Sequence, residues 1–193
     1  MAEPGLETGR LTLRLPESGD LAWQQQCLNT PEVMRHLGSV RDPADLESAF
    51  AANALAMAAG RPGFWTVVLR DGGELIGKCG IGPIDSPHAP ATLHGGLQVG
   101  WSLAEPFWNR GFASEAARAA ITDGFARYGA AEIWSQTSDS NQASTRMMAR
   151  LGLKHCPELD YVDPDYPTQD NPTTIYRVAR TEWHERAIER DVR

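Results

Sequence analysis

The sequence predicts one mixed α/β domain, and three observations predict it. Short segments in which apolar and polar residues alternate indicate strands with one buried face. Longer segments with apolar residues three and four positions apart indicate helices that pack on a sheet. The two kinds of segment interleave without an internal repeat or a linker that would divide them. At 193 residues the chain is long enough to bury a core without disulfides.

The N-terminal part is predicted to hold one strand and three helices. Arg10–Leu15 reads RLTLRL, the period of two of a half-buried strand. Asp20 is predicted to cap a helix that ends near Leu28, because its carboxylate can accept from free N–H groups at a helix start. Asn29-Thr30-Pro31 is predicted to open a short second helix. A third helix is predicted over Pro43–Ala59, whose apolar stripe consists of Leu46, Phe50, Ala54 and Met57.

The middle of the chain is predicted to form a hairpin and then a strand that leads into a helix. Phe64–Leu69 and Leu75–Ile81 are apolar segments joined by Asp71-Gly72-Gly73, which is typical of a hairpin turn. A loop with proline and histidine follows over Asp85–Gly96. Residues 97–125 then contain an alternating strand, a polar turn with glycine and an alanine-rich helix.

The C-terminal part is predicted to add three strands and one helix. Glu132–Thr137 is predicted as a strand, and Ser140 to Leu151 as a helix that Gly152 ends. Leu153–Cys156 is predicted to begin another strand, and Thr173–Ala179 to be the last.

The composition excludes several functional classes. The formal net charge is −7 and no Lys/Arg cluster is present, so we expect no nucleic-acid partner. No apolar run approaches the roughly 18 residues of a membrane span, and the first residues lack the apolar core of a secretion signal. Three cysteines without paired spacing predict neither a disulfide framework nor a metal site. These features predict a protein of the reducing cytoplasm.

The turn after the alternating strand carries the strongest functional signal; it reads Trp108-Asn109-Arg110-Gly111-Phe112-Ala113-Ser114. A helix start leaves N–H groups without partners, and the helix dipole favours an anion there. Gly111 removes the Cβ at the point where phosphate oxygens would approach the backbone. Arg110 either adds a charged contact or points to solvent. Spacing alone fits a pyrophosphate-binding turn and an unliganded strand-to-helix turn equally well.

A second glycine cluster, Gly77-Lys78-Cys79-Gly80-Ile81-Gly82, is interpreted differently. A dinucleotide-binding fingerprint requires a helix directly after it, and a proline-containing loop follows here. We therefore predict a strand bulge or close packing at these glycines.

Several segments carry a family signal in combination, and in chain order they are Glu7–Arg14, Leu75–Gly80, Val99–Trp101, Trp108–Ala116, Asn141–Ser144 and Arg150–Leu153. In this order and spacing they resemble the GNAT superfamily of CoA-dependent N-acetyltransferases. The resemblance is strongest to the RimJ/RimL branch, which acetylates N-terminal amines of ribosomal proteins. It covers the chain from about Thr8 to Trp183, which predicts an acetyltransferase domain over 8–183 and a polar tail over 184–193.

The resemblance implies a fold and a co-substrate. The fold would be a central, mostly antiparallel sheet of about seven strands with splayed fourth and fifth strands, flanked by about four helices. The co-substrate would be acetyl-CoA, whose pantetheine arm pairs with the free edge of the fourth strand. The implied backbone contacts to pantetheine come from Ser102, Leu103 and Ala104. The implied pyrophosphate contacts come from Asn109, Arg110, Gly111, Phe112, Ala113 and Ser114, and the contacts to pantetheine and sulfur from Asn141 and Ser144.

Two positions depart from the family pattern. Trp108 stands where the family has Gln or Arg, although the RimJ/RimL branch often carries an aromatic residue there. Gln98 stands where many relatives carry a glutamate that serves as general base, and an amide cannot take up a proton at neutral pH. The sequence therefore leaves the base unassigned. The candidates are His94, just ahead of the fourth strand, and a water relayed to an acidic residue.

The other predicted roles concern the leaving thiol and the acceptor amine. Ser144 is predicted either to donate a proton to the departing thiol or only to cap a helix. The loop Glu158–Asp170 is acidic, contains two tyrosines and no basic residue, and suits an ammonium-bearing acceptor, unless it is simply a solvated loop. The residues predicted to contact the substrate are Gln98, Asp160, Tyr161 and Asp163.

The sequence thus predicts an acetyl-CoA-dependent N-acetyltransferase acting on a primary amine, as a monomer or homodimer. A protein N-terminus is the first expected acceptor, and a polyamine or aminoglycoside the second. The alternative is a non-catalytic acyl-CoA-binding module, which the glutamine in place of an acid would suit.

Overall fold

A computed structural model describes residues 5–191 and divides the chain into two compact units. The first comprises the chain up to Gly82 together with Val99–Ile121, and the second comprises Pro83–Gln98 together with the chain from Thr122 onward. The single domain over 8–183 stays a prediction.

The strands of the first unit are β1 (Leu6–Glu7), β2 (Leu11–Arg14), β3 (Phe64–Leu69), β4 (Leu75–Pro83) and, from Val99 onward, β5 (Leu97–Leu103). They neighbour one another in chain order. The antiparallel register places Leu13 opposite Val67, and both side chains are fully buried. Thr12 and Arg14, between and beyond the buried leucines, are only partly buried. This alternation is the pattern that predicted the strand.

The helices of the first unit are α1 (Asp20–Cys27), α2 (Pro31–Met34), α3 (Pro43–Ala58) and the part of α4 (Phe112–Tyr128) that ends at Ile121. Side-chain caps explain two of the starts. The Thr30 hydroxyl accepts from the Val33 N–H at 3.3 Å, and the Asp42 carboxylate accepts from the Ala44 N–H at 2.8 Å.

The prediction that Asp20 caps α1 is wrong. The N-cap position is Gly19, and Asp20 is the first helical residue, with a side chain that is buried. Its carboxylate binds the Arg14 guanidinium at 2.7 Å and accepts from the Thr66 hydroxyl at 2.7 Å. Burial alone would raise the pKa of Asp20, but these hydrogen bonds and the Arg14 charge lower it below its ordinary value.

The second glycine cluster allows close packing, as predicted. A Cβ at Gly77 would lie 2.3 Å from the Ser102 carbonyl oxygen, and one at Gly80 would lie 2.2 Å from the Gly63 carbonyl oxygen. Neither position has room for a side chain, because the obstacle in both cases is backbone.

The second unit is built on β6 (Glu132–Ser138), α5 (Gln142–Leu151), β7 (Lys154–His155), β8 (Thr173–Ala179) and α6 (Arg180–Asp191). Strands β6 and β8 pair antiparallel along their whole length, and β7 pairs with β8. Gly152 ends α5 with a φ of 93°, in the left-handed region that glycine tolerates. The core includes Ile84, Leu93 and Ile175, all nearly inaccessible to solvent.

The predicted architecture is confirmed, with more elements than expected. The strand order is β1-β2-β3-β4-β5-β6-β8-β7, so the mostly antiparallel sheet has eight strands, and the described residues form six helices. The unpredicted strand is the two-residue β1, so the predicted fourth and fifth strands are β5 and β6. Strands β5 and β6 pair in parallel at one position, where Gln98 lies opposite Trp134.

The predicted C-terminal tail begins inside a helix, because α6 continues through residue 184 to Asp191. Residues 1–4 of the predicted N-terminal segment and residues 192–193 of the predicted tail lie outside the described residues. Between residues 5 and 191, no helix has both the length and the apolarity that crossing a membrane requires.

Candidate active site

The turn between β5 and α4 has the geometry of an anion-binding helix start. Asn109 has a φ of 58° and Gly111 a φ of 81°, so both lie in the left-handed region. Helix α4 follows at once, and the Glu115 N–H donates to the Gly111 carbonyl at 3.1 Å. The N–H groups of the first turn, Phe112 to Ser114, therefore have no partner within the helix. They stand at the positive end of a helix of 17 residues, where a phosphate is stabilised.

Arg10, which directly precedes β2, holds this turn in place, and no sequence pattern predicted that role. Its Nε donates to Glu115 Oε2 at 2.7 Å, and its Nη1 donates to the Arg110 carbonyl at 3.1 Å. Glu115 also accepts from the Thr8 hydroxyl at 2.6 Å. Burial alone would raise the pKa of Glu115, but the hydrogen bonds from Thr8 and Arg10 and the Arg10 charge lower it. No local pattern could have revealed the pair, since 105 residues separate its members.

Two guanidinium groups lie over the same aromatic ring at the helix start. The Arg10 Cζ lies 4.4 Å from the centroid of the Phe112 ring, and the Arg110 Cζ lies 5.0 Å from it. Arg10 is paired with Glu115, whereas Arg110 forms no ion pair among the described residues. Arg110 therefore brings an uncompensated positive charge to the N–H groups of the turn.

The proposed pantetheine edge of β5 is partly occupied by the protein itself. The Ala104 N–H donates to the Ile76 carbonyl at 3.0 Å, and the Ser102 carbonyl faces Gly77, so both groups point toward β4. Because backbone groups alternate along a strand, the N–H and carbonyl of Leu103 point to the opposite edge. The Trp108 indole N–H donates to that carbonyl at 2.6 Å. Trp108, a departure from the family pattern, thus closes one acceptor on this edge.

The start of α5 shows which residue caps the helix, a role that the sequence analysis considered for Ser144. Asn141 is the N-cap, and its side chain accepts from the Ser144 N–H at 3.2 Å and donates to the Thr137 hydroxyl at 3.1 Å. The Ser144 hydroxyl forms no hydrogen bond among the described residues and is partly exposed. Capping is therefore done by Asn141, and the Ser144 hydroxyl is available to a ligand.

The candidate base His94, and Gln98 at the position where relatives carry a glutamate base, each contact a backbone carbonyl of the second unit. The exposed His94 ring has its Nε2 2.9 Å from the Ala89 carbonyl, inside its own loop. Gln98 Nε2 donates to the Pro83 carbonyl at 3.1 Å. Neither contact involves a carboxylate that could orient a catalytic imidazole.

Carboxylates of the acidic loop form hydrogen bonds with residues of the second unit. Asp160 lies 2.8 Å from His155 Nε2 and accepts from the Ile175 N–H at 2.9 Å. Asp163 is 4% exposed and accepts from the Ser86 hydroxyl at 3.0 Å and from the Asp165 N–H at 3.0 Å. The Tyr161 hydroxyl donates to the Gln136 side chain at 3.0 Å, and burial raises the pKa of Tyr161.

One grouping of possible metal ligands occurs in the described residues, at His88, Asp163 and Asp165, with ligand atoms within 4.8 Å of one another. Two of the three side chains are exposed, and both Asp163 oxygens already accept hydrogen bonds. The grouping therefore carries no metal assignment.

Comparison with known proteins defines the class of the protein. The model of the acetyltransferase (GNAT) domain matches residues 10–154, a span that includes the β5–α4 turn, Arg10 and the start of α5. The protein is therefore an acetyltransferase. The chain belongs to the GNAT family.

Named relatives agree with this assignment. The uncharacterized N-acetyltransferase YoaA of Bacillus subtilis is 30% identical over 156 residues, which cover 78% of this chain and 83% of YoaA. The FsC-acetyl coenzyme A-N(2)-transacetylase of Aspergillus fumigatus is 28% identical over 186 residues, which cover 94% of this chain and 79% of that protein.

Solved structures share the fold. An acetyltransferase from Agrobacterium tumefaciens superposes with a TM-score of 0.74 and 25% identity, over 93% of this chain and 96% of the other. The RimL ribosomal-protein α-N-acetyltransferase, solved in complex with coenzyme A, gives a TM-score of 0.64 at 18% identity, over 91% and 97%. This second likeness shows the fold alone, so the RimJ/RimL branch stays a prediction.

Proposed function

We propose that this acetyltransferase uses acetyl-CoA and acetylates a primary amine, with a protein N-terminus as the first acceptor class. The observation that carries the proposal is the β5–α4 turn, with its unpaired N–H groups, the left-handed Gly111 and the unpaired Arg110 guanidinium. Two comparisons support the co-substrate: the Aspergillus relative is named for acetyl coenzyme A, and the RimL structure contains coenzyme A.

In this proposal the residues of the turn hold the pyrophosphate of CoA. The backbone N–H groups of Asn109, Arg110, Gly111, Phe112, Ala113 and Ser114 would face its oxygens, and the Arg110 side chain would add a charge-assisted contact. Arg10 acts indirectly, because its bonds to Glu115 and to the Arg110 carbonyl fix the turn. On β5 the Leu103 N–H is the group best directed toward pantetheine. Ser102 and Ala104, whose backbone groups point toward β4, flank this contact without making it, and Asn141 and Ser144 on α5 keep the roles predicted from the resemblance.

The reaction is a direct transfer between nitrogen and sulfur. The neutral amine attacks the thioester carbonyl carbon, a C–N bond forms, and the C–S bond breaks with its electron pair leaving on sulfur. A lysine-type amine has a pKa near 10.4 and an α-amine one near 8, so a protonated amine must lose one proton before attack and a second afterwards. The CoA thiolate takes up one proton, and the other passes to solvent. We assign the donation to sulfur to Ser144, whose hydroxyl is uncommitted.

The base is assigned to water relayed to solvent or to an acidic side chain. His94 stays a candidate without an orienting carboxylate among its observed contacts. An α-amine suits such a weak arrangement better than a lysine amine does, because a larger fraction of it is neutral at pH 7. This difference supports a protein N-terminus over a polyamine as the acceptor.

The co-substrate assignment is tested by Gly111→Asp. The variant places a carboxylate where the pyrophosphate oxygens would lie, and we expect CoA affinity to fall at least a hundredfold, as measured by calorimetry. Gly72→Asp is the matched control, because Gly72 has a φ of 82° and open space around its Cβ position. It carries the same backbone strain and charge, and should bind CoA like the wild type. Equal CoA affinity of the two variants would refute the turn as the pyrophosphate site.

The enzyme assignment is tested by release of free CoA from acetyl-CoA over a panel of primary amines. We expect Ser144→Ala to lower turnover about ten- to a hundredfold while CoA affinity changes little, since the hydroxyl is proposed to act on the leaving sulfur. Thr145→Ala removes a hydroxyl from the next residue, where it donates to the Gln142 carbonyl, and serves as the control. If no amine accelerates thiol release, the chain is an acyl-CoA-binding module instead.

A further inference from the structure

Lys78 and Arg41, in the first unit, are cations without a carboxylate partner among the described residues. Lys78 is partly buried on β4, opposite Thr66, and Arg41 is exposed just before α3. Burial and the nearby Arg41 charge lower the pKa of Lys78 to about 8. Two arginines of this unit do have carboxylate partners: Arg14 binds Asp20 and Arg10 binds Glu115, each at 2.7 Å.

The carboxylate that contacts the strand residue opposite Lys78, that of Asp20, is already committed to other partners. Thr66, which stands opposite Lys78 in the sheet, donates its hydroxyl to Asp20. The Asp20 carboxylate also receives two hydrogen bonds from Arg14 and one from the Glu17 N–H. It is therefore saturated by its own neighbours. A partly buried ammonium without a carboxylate partner is costly in the unliganded protein, and an anion would relieve that cost.

An aromatic surface lies next to the ammonium. The Phe64 ring is partly exposed, and the Lys78 Nζ lies 5.9 Å from its centroid. The ring packs on two glycines, since a Cβ at Gly82 or Gly100 would lie 3.3 Å or 3.0 Å from its carbons. Asn53 fixes the backbone of Phe64 by accepting from its N–H at 2.7 Å and donating to its carbonyl at 2.9 Å. The result is a rigid flat apolar surface beside a positive charge.

This surface adjoins the β5 segment that is proposed for pantetheine. Gly77, the neighbour of Lys78, packs on the Ser102 carbonyl and the Leu103 Cα, and Ile76 accepts from the Ala104 N–H. Gly100, under the Phe64 ring, precedes Ser102 by two residues on the same strand. An acceptor amine that attacks a thioester at this part of β5 would have its remaining atoms near Phe64 and Lys78.

We propose that Lys78 and Arg41 bind a carboxylate of the acceptor, whose apolar part lies against the Phe64 ring. The inference rests on the proposed function and narrows its substrate class to amines that carry a carboxylate. The carboxylate has two sources, the α-carboxylate of a free amino acid and an acidic side chain close to the N-terminus of a peptide. In either case the ammonium and guanidinium supply charge-assisted hydrogen bonds to the carboxylate oxygens.

The test measures binding of acetylated amines, so that it does not depend on turnover. N-acetylserine is compared with N-acetylserinamide, and N-acetylaspartyl amide with N-acetylasparaginyl amide, by calorimetry. We expect the carboxylate member of at least one pair to bind about tenfold more tightly than its amide, and the favoured pair identifies the source. Lys78→Met should reduce the ratio to near one, and Arg41→Gln should reduce it by about threefold.

Arg35→Gln is the control. Arg35 is also exposed, lies six residues before Arg41 and has no observed side-chain partner. It should keep the ratio of the wild type. Arg41→Gln changes only an exposed side chain, so it reports on the site even if Lys78→Met unfolds. Equal affinity for carboxylate and amide in the wild type, or a preference that survives both variants, overturns the inference. Absence of thiol release with every amine overturns the proposed function and leaves this binding result to stand alone.

Discussion

The acidic loop Glu158–Asp170 and the Lys78–Arg41 pair show opposite relations between charge and partner. The loop carries five carboxylates in thirteen residues, yet Asp163 and Asp170 are 4% and 3% exposed and accept hydrogen bonds from serine hydroxyls. Lys78 has no carboxylate partner in the described residues, and its observed contact is with the face of the Phe64 ring. The buried loop carboxylates form hydrogen bonds within the protein, whereas Lys78 and Arg41 form no ion pair among the described residues.

Charge density in a sequence therefore does not by itself identify a binding site. A carboxylate that accepts backbone and hydroxyl hydrogen bonds is stabilised by the fold and would lose those bonds on binding an ammonium. An ammonium that is desolvated without a partner gains on binding an anion. We therefore expect the loop carboxylates to stabilise the fold and Lys78 and Arg41 to recognise the acceptor, and substitutions in either region test this expectation.

The largest expected effect is on stability, in the loop. Asp163→Ala leaves the Ser86 hydroxyl and the Asp165 N–H without an acceptor, and it should lower the free energy of unfolding by about 1–3 kcal/mol, measured by urea denaturation. Asp165→Asn is the control, because that side chain is 73% exposed, and its effect should stay within about 0.5 kcal/mol. If Asp163→Ala is as stable as the wild type, the loop does not depend on this carboxylate.

The strands could be predicted from sequence more fully than the site. The bounds of β3 and β8 follow from their own residues, because apolar and β-branched side chains fill each strand and turn residues flank it. The two-residue β1 has no periodicity to detect. Asp20 was misassigned as a cap because a carboxylate at a helix start fits a cap and an ion pair equally, and only the fold brings Arg14 and Thr66 to it.

In the site, too, features formed by consecutive residues could be predicted, whereas contacts between residues far apart in the chain could not. The β5–α4 turn is a local pattern, and in the structure Gly111 has a left-handed conformation, which glycine tolerates. The role of Arg10 was missed because its contact with Glu115 depends on tertiary placement. The Trp108 contact is local, but it depends on the conformation of the five residues that lead back to the Leu103 carbonyl, which the sequence pattern does not specify. Lys78 was passed over for a similar reason, since one lysine in an alternating strand ordinarily faces solvent.

The next effect is kinetic and tests whether the loop recognises cationic acceptors. Glu158→Gln combined with Asp165→Asn removes two exposed carboxylates of the loop without disturbing Asp163. We expect the KM for a polyamine such as spermidine to change less than about threefold, since isolated exposed charges contribute little. The measurement is thiol release at varied amine concentration. A rise in KM of more than about tenfold would make the loop an ammonium-binding surface and reverse the comparison.

The last prediction concerns the pH dependence of stability through Lys78. Its pKa is about 8 in the folded protein against an ordinary value of 10.5, so the fold disfavours the charged form. Below pH 8 both states hold the proton, and the folded state bears the cost of the buried charge. Between about pH 8 and 10.5 the unfolded chain keeps a proton that the folded protein has released, so the Lys78 contribution to stability rises with pH.

Lys78→Met removes this contribution and isolates it. At pH 7 the variant should be more stable than the wild type by about 1 kcal/mol, a figure reduced for the partial exposure of the side chain. The difference should shrink toward zero as the pH approaches 10, because the wild-type ammonium is then neutral in the folded state. Urea denaturation of both proteins at pH 7, 8.5 and 10 measures it. A difference that stays constant over this range would mean that Lys78 is well solvated, and would remove the energetic reason for an anion to bind beside it.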